Sequence, residues 1–86
     1  MKTLPAYFVL TKRQMEVARY VAHGYTNDAI ALEMRLASTT AKTHVSDILQ
    51  ELGLTSRVQL AIWALKTGLV SLEDIELPER GRDANL

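Results

Sequence analysis

Four hydroxyl side chains, Thr11, Thr26, Ser38 and Ser56, each precede a run with helical apolar spacing, and Gly24, Gly53 and Gly68 follow three of those runs. A Ser or Thr oxygen accepts from the free amides of a helix's first turn, and glycine takes up the left-handed conformation that ends one. The punctuation therefore predicts a chain of short helices. Thr11 with Gln14, and Ser56 with Gln59, have capping-box spacing, and Leu10 and Met15 occupy the two positions of a hydrophobic staple. Helix one is expected over about 12–23 and helix two over about 27–34, with "RLA" as the turn behind it. Helix three is expected over about 39–52 with Ser38 as its cap, and helix four follows Ser56 until Gly68 closes it. The one segment of strand-like composition, "AYFVL", is expected to pack as an extended arm.

Apolar spacing assigns the buried faces. Val17, Ala18 and Val21 make a stripe on helix one, Ile30, Ala31 and Met34 on helix two, and Ala41, Val45, Ile48 and Leu52 on helix three. The opposite face of helix three is then Thr39, Lys42, Thr43, Ser46, Asp47 and Gln50, nearly uncharged. Helix four is apolar on two sectors, Leu60, Ala61 and Ala64 on one and Val58, Ile62 and Leu65 on the other. A domain this small covers one sector, so the second calls for a partner. The fold class expected is all-α: a compact four-helix bundle in which helices two and three form a helix-turn-helix and helix four serves dimerisation.

At 86 residues the chain is one domain, with nearly half of its residues apolar. It has no cysteine, which excludes disulfides, thiolate metal sites and thiol catalysis. The longest apolar run, "LAIWAL", is far shorter than the roughly 20 residues that span a bilayer. Pro5 interrupts the early apolar stretch and no small-residue cleavage site follows, so a cytoplasmic protein without membrane contact is expected. His23 and His44 have no spacing that supports a metal site, and no paired acid and base, nucleophile or glycine-rich phosphate loop is present. Neither an enzyme nor a bound cofactor or metal is expected. Trp63 reads as packing rather than recognition. Formal charge is zero, yet residues 1–70 carry eight Lys/Arg against five acids, and residues 71–86 carry five acids against two arginines. The body is mildly basic and the tail acidic.

Two short helices joined by a tight turn, the second with a polar outer face, follow the helix-turn-helix plan, in which the second helix enters the DNA major groove. Lys42 can donate to a guanine edge or a phosphate, Thr43 offers a methyl and a hydroxyl, and Ser46 is a short donor or acceptor. Thr39, Thr40 and His44 flank them at positions suited to phosphate oxygens.

From Leu10 to Val70 the chain resembles the LuxR-type (GerE-type) DNA-binding domain. The matching blocks are "LTKRQMEV", "VAHGYTNDAIA", "TAKTHVSDIL" and "LGLTSR", in the family's order and spacing, followed by a fourth helix ending "GLV". Region 4 of sigma factors looks similar through helix three, but the "LGLTSR" junction and the fourth helix favour LuxR. The resemblance implies that helix three reads the major groove and that helix four pairs two subunits. Lys42, Thr43 and Ser46 match the family's base-facing positions, and Thr40, His44 and Arg57 match positions near the phosphate backbone. Asn27 stands where the family commonly has asparagine, and Val58, Ile62 and Leu65 match the outward side of the dimer helix.

The departures from the family's pattern are specific. Ala37 stands where a serine usually caps helix three, so Ser38 is expected to take over and move the helix start by one residue. Ala41 replaces a valine, a loss of about 1 to 2 kcal/mol of core stability if nothing fills the gap. Asp28 occupies a common lysine position, Asp47 a common asparagine position, and Gln50 and Glu51 stand where basic residues are frequent. Each lost cation removes a phosphate contact and its counterion release, so weak binding by a single subunit is expected.

The domain organisation expected is an N-terminal arm over 1–9, the LuxR-type domain over 10–70, and an acidic flexible tail over 71–86. That tail either solubilises the domain or competes with phosphate for its basic groove. LuxR-type domains usually follow a receiver or ligand-binding domain, so the chain is either a free-standing regulator or a fragment of a longer one. The function expected is a sequence-specific transcription regulator that binds double-stranded DNA as a homodimer. The alternative is a protein-binding module on the same fold, which engages another regulator or the transcription machinery.

Overall fold

The computed structural model describes residues 4–75. Its main elements are α1 (Lys12–Ala22), α2 (Asn27–Met34), α3 (Ser38–Leu52) and α4 (Arg57–Lys66), with short 3-10 turns at Ala6–Val9 and Leu72–Asp74, and the described residues contain no strand. The all-α class and the four helices stand as the sequence predicts.

The start of α1 is a complete capping box. Thr11 Oγ1 accepts from the Gln14 amide at 3.1 Å and Gln14 Oε1 accepts from the Thr11 amide at 2.9 Å. The helix ends in a Schellman arrangement around Gly24, whose φ is 87°: the Gly24 amide donates to Val21 O and the Tyr25 amide to Tyr20 O, both at 3.0 Å. Thr26 caps α2 by accepting from Ala29 at 3.1 Å. At α4 the pattern differs from expectation. Ser56 Oγ accepts from the Gln59 amide at 3.2 Å, but Gln59 Oε1 reaches past the cap to the Thr55 amide at 2.7 Å. The glutamine thus fixes the residue entering the helix and leaves the cap residue's own amide aside.

Two expectations about helix starts are corrected. Ser38 does not cap α3; Ala37 holds the N-cap position with no side-chain hydrogen bond, and Ser38 is the first helical residue. The helix start therefore does not move, because the Ser38 hydroxyl is engaged elsewhere, donating to Asp28 Oδ1 at 2.7 Å. The "AYFVL" segment is a 3-10 turn rather than an extended arm, closed by amide bonds from Phe8 to Pro5 O and from Leu10 to Tyr7 O, each 3.0 Å. That turn sets Leu10 into the core and leaves Phe8 and Val9 exposed.

The core is a single cluster with Ile30, Ile48, Leu60 and Val17 as its largest fully buried side chains. Val17, Ala18 and Val21 of α1, Ile30 and Ala31 of α2, Ala41, Val45 and Ile48 of α3, and Leu60 and Ala64 of α4 are all buried as their spacing predicts. Ala41, at a position where the family carries valine, is wholly buried. α1 packs mainly on α4 and α2 mainly on α3, and α1 against α3 joins the two pairs.

Behind α2 the chain turns through Arg35, held at φ 59° and ψ 49°, the one non-glycine residue with positive φ among those described. Its amide donates to Ala31 O, and the Leu36 amide donates to the same oxygen at 2.8 Å. A side chain in this region costs about 1 kcal/mol or more. Arg35→Gly removes that cost at the expense of greater freedom in the unfolded chain, and a net gain of about 0.5 to 1 kcal/mol is expected. Thermal melts should show a rise of roughly 2–8 °C; an unchanged or lowered midpoint would show that the arginine side chain contributes packing or charge that outweighs the strain.

At the other end, the residues after α4 stay against the body as far as the description extends. Leu69 and Val70 are buried, and Ile75 packs partly on the core. His23 Nδ1 lies 2.8 Å from Arg19 O and Nε2 lies 3.2 Å from Asp74 O, so the residue that caps the end of α1 holds the turn at Leu72–Asp74. The remainder of the segment read as an acidic tail, 76–86, lies outside the described residues.

Candidate nucleic-acid interface

The outer face of α3 is formed because one stripe of a 15-residue helix is buried and the other has nothing packed on it. Thr39, Thr40, Lys42, Thr43, Ser46, Asp47 and Gln50 are all exposed, while His44 is half-buried at the edge of the face. Thr43 Oγ1 donates to Thr39 O at 3.0 Å, one turn back. That bond fixes its rotamer and leaves the hydroxyl's lone pairs and the methyl group for a base edge.

The face is divided along its length. Its first two turns carry hydroxyls and the Lys42 ammonium. Its last turns are polar and acidic, where Asp47, Gln50 and Glu51, together with Gln14 of α1, line a shallow depression. Lys42 thus stands in the first half of α3, and the Asp47 and Glu51 carboxylates stand in the second.

Arg57 stands apart from the rest of the face. It is half-buried, with Nη1 donating to Asn27 Oδ1 at 2.9 Å and Nη2 to Tyr25 O at 2.6 Å. The guanidinium thus ties the first residue of α4 to the first residue of α2 across 30 positions of sequence. Sequence reasoning singled out Arg57 for a place near the phosphate backbone and Asn27 for the family's common asparagine, and their pairing carries no local spacing signal. The Asp28–Ser38 bond is likewise absent from any single-helix pattern, because it joins the starts of two helices.

On α4, Val58 and Ile62 are 65% and 50% exposed, the values that make this strip available to a partner. Leu65, the third residue assigned to the same sector, is half-buried and packs on the core, as does Trp63. Leu54, Gln59, Ile62, Trp63 and Lys66 line an apolar groove along the strip.

Burial pushes the Tyr20 phenol above its ordinary value, with the Glu33 and Glu16 carboxylates adding to the effect. A hydrogen bond from the Ser71 hydroxyl holds Glu73 below the usual carboxylate range. Both groups lie away from the α3 face. Among the described residues no group of three or more His, Asp or Glu side chains is placed to hold a metal ion, and no helix is long and apolar enough to cross a membrane.

Two short helices at a tight turn, the second exposing a hydroxyl-and-lysine face and a fourth helix exposing an apolar strip, define a helix-turn-helix regulator domain. The chain belongs to the LuxR family: residues 8–64 match the family described as bacterial regulatory proteins, luxR family. Among curated proteins it is similar to the response regulator protein VraR of Staphylococcus aureus strains Mu3 and COL and of Staphylococcus epidermidis strain RP62A, 39% identical over 69 residues in each case. The match covers 80% of this chain and 33% of each relative, so the chain spans about a third of their length. The family match places the chain among bacterial regulatory proteins.

Proposed function

We propose that the chain binds double-stranded DNA sequence-specifically as a homodimer, with α3 in the major groove. Lys42, Thr43 and Ser46 meet base edges, Thr39, Thr40 and His44 meet phosphate oxygens, and Val58 and Ile62 with the rim of Leu65 form the contact between subunits. Arg57 approaches the backbone with whatever donor capacity its bonds to Asn27 and Tyr25 leave. The observation that carries this reading is the exposure of Lys42, Thr43 and Ser46 together on one face of α3, opposite the buried Ala41, Val45 and Ile48. Selection of bound duplexes from a random pool tests it. An inverted repeat with equivalent positions about one helical turn, 10–10.5 base pairs, apart is the expected product; a pool that stays random after repeated rounds would sink the reading.

The acids at the far end of α3 and the apolar strip on α4 favour a second reading, a protein-binding module on the same fold. Salt separates the two. Phosphate binding weakens with a log-log slope near −0.9 per contact, whereas an apolar contact through α4 loses little as salt rises.

A further inference from the structure

We propose that Asp28 is the residue that limits how tightly this domain holds DNA, its carboxylate standing at the corner of the helix-turn-helix that faces the phosphate backbone. The inference rests on the DNA-binding reading above and assigns it a specific control point.

Three observations meet at this corner. Asp28 is exposed in the first turn of α2, where the positive end of the helix favours its charge. Its Oδ1 accepts the Ser38 hydroxyl at 2.7 Å, which fixes the carboxylate against the first residue of α3. Ala37 supplies no capping oxygen there, so Asp28 is the group that α3's first residue engages. Ser38 and Lys42 are four apart on the same face, their Cβ atoms about 5–6 Å from one another. The carboxylate is thus held one turn from the cation assigned to base contact.

In a helix-turn-helix the first helix crosses the backbone and the second enters the groove with its N-terminal residues. A phosphate that comes within roughly 6–8 Å of the Asp28 charge is repelled. In water, repulsion at that separation lowers affinity about two- to threefold, and a dimer meets it twice, for about four- to tenfold in all. The penalty falls on any sequence, so it lowers occupancy of random DNA and of the chosen site alike. The domain then dwells only where base contacts are complete.

Asp28→Asn keeps the acceptor for Ser38 and removes the charge, and Asp28→Ser is a second neutral residue favoured at helix starts. Each should bind both a selected duplex and a scrambled one about four- to sevenfold more tightly than wild type near 0.01 M salt, where the Debye length is about 30 Å, with the gain shrinking as salt rises and the Debye length contracts. Ser38→Ala breaks the hydrogen bond and leaves the charge, and its affinity should stay within about twofold of wild type. Neutral variants that bind both duplexes within twofold of wild type overturn the proposal, as does a Ser38→Ala variant that gains as much as Asp28→Asn. Wild type is titrated alongside. If it and the neutral variants bind neither duplex, the DNA-binding reading itself falls; if wild type binds and the neutral variants do not improve on it, only the role given to Asp28 falls.

Discussion

Ile62→Glu is expected to abolish cooperative binding to an inverted repeat while leaving the folded monomer intact. Ile62 is half-exposed at the centre of the α4 strip, so a glutamate there meets solvent in the single subunit and strains nothing. In a two-fold pair the same substitution sets two carboxylates against each other on apolar surface, beside the groove lined by Leu54 and Trp63. A loss of about 2 to 4 kcal/mol is expected, the range of a central interface residue, or roughly 30- to 1,000-fold in apparent affinity. Sedimentation and gel-shift titration read the two halves of the result. A variant that sediments and binds as wild type does would remove α4 as the dimer surface.

The second large effect is expected at Lys42. If its ammonium meets a guanine edge, Lys42→Ala costs about 1 to 3 kcal/mol at the preferred site and relaxes selectivity at one position of the half-site. If it meets phosphate alone, affinity falls evenly across sequences and the salt slope flattens by about one. Gln50→Ala, two turns further along the same face, should cost less, because it stands among Asp47 and Glu51 where a duplex is repelled. Equal and negligible losses from the two variants would favour the protein-binding reading.

Most of the architecture was legible in the sequence because it is written in local terms. A threonine three residues before a glutamine, a glycine after an apolar stripe and a four-three-four spacing each specify geometry within one helix; the α1 stripe came out buried, as did Ala41, Val45 and Ile48 of α3, with Leu52 at its end half-buried. The helix-turn-helix is legible for the same reason, and four separated blocks made the family readable. What was missed lies between elements. The hydroxyl of Ser38 had two possible acceptor and donor roles, and only the folded position of Asp28 decides that it donates across to α2 instead of capping its own helix. Arg35 shows the converse. Nothing in "RLA" requires a left-handed arginine, but the short distance between α2 and α3 imposes the turn on whichever residue stands there. At Gln59 the expected reach was wrong by one residue, since the extended φ of Ser56, −145°, turns its own amide away and brings the Thr55 amide to the carboxamide.

In the proposed dimer, the guanidinium of Arg57 would act as a measuring device. It fastens the helix proposed to pair subunits to the helix that sets α3's approach, through Asn27 and the Tyr25 carbonyl, both in a part-buried setting where such bonds are less exchanged with water. The separation and tilt of two recognition helices in a pair are then not adjustable at a hinge between subunit and reading head. In the proposed dimer they would be transmitted through this link. Operators would then be discriminated by the number of base pairs between their halves as well as by the letters within them, and the span that measures that number runs through Arg57.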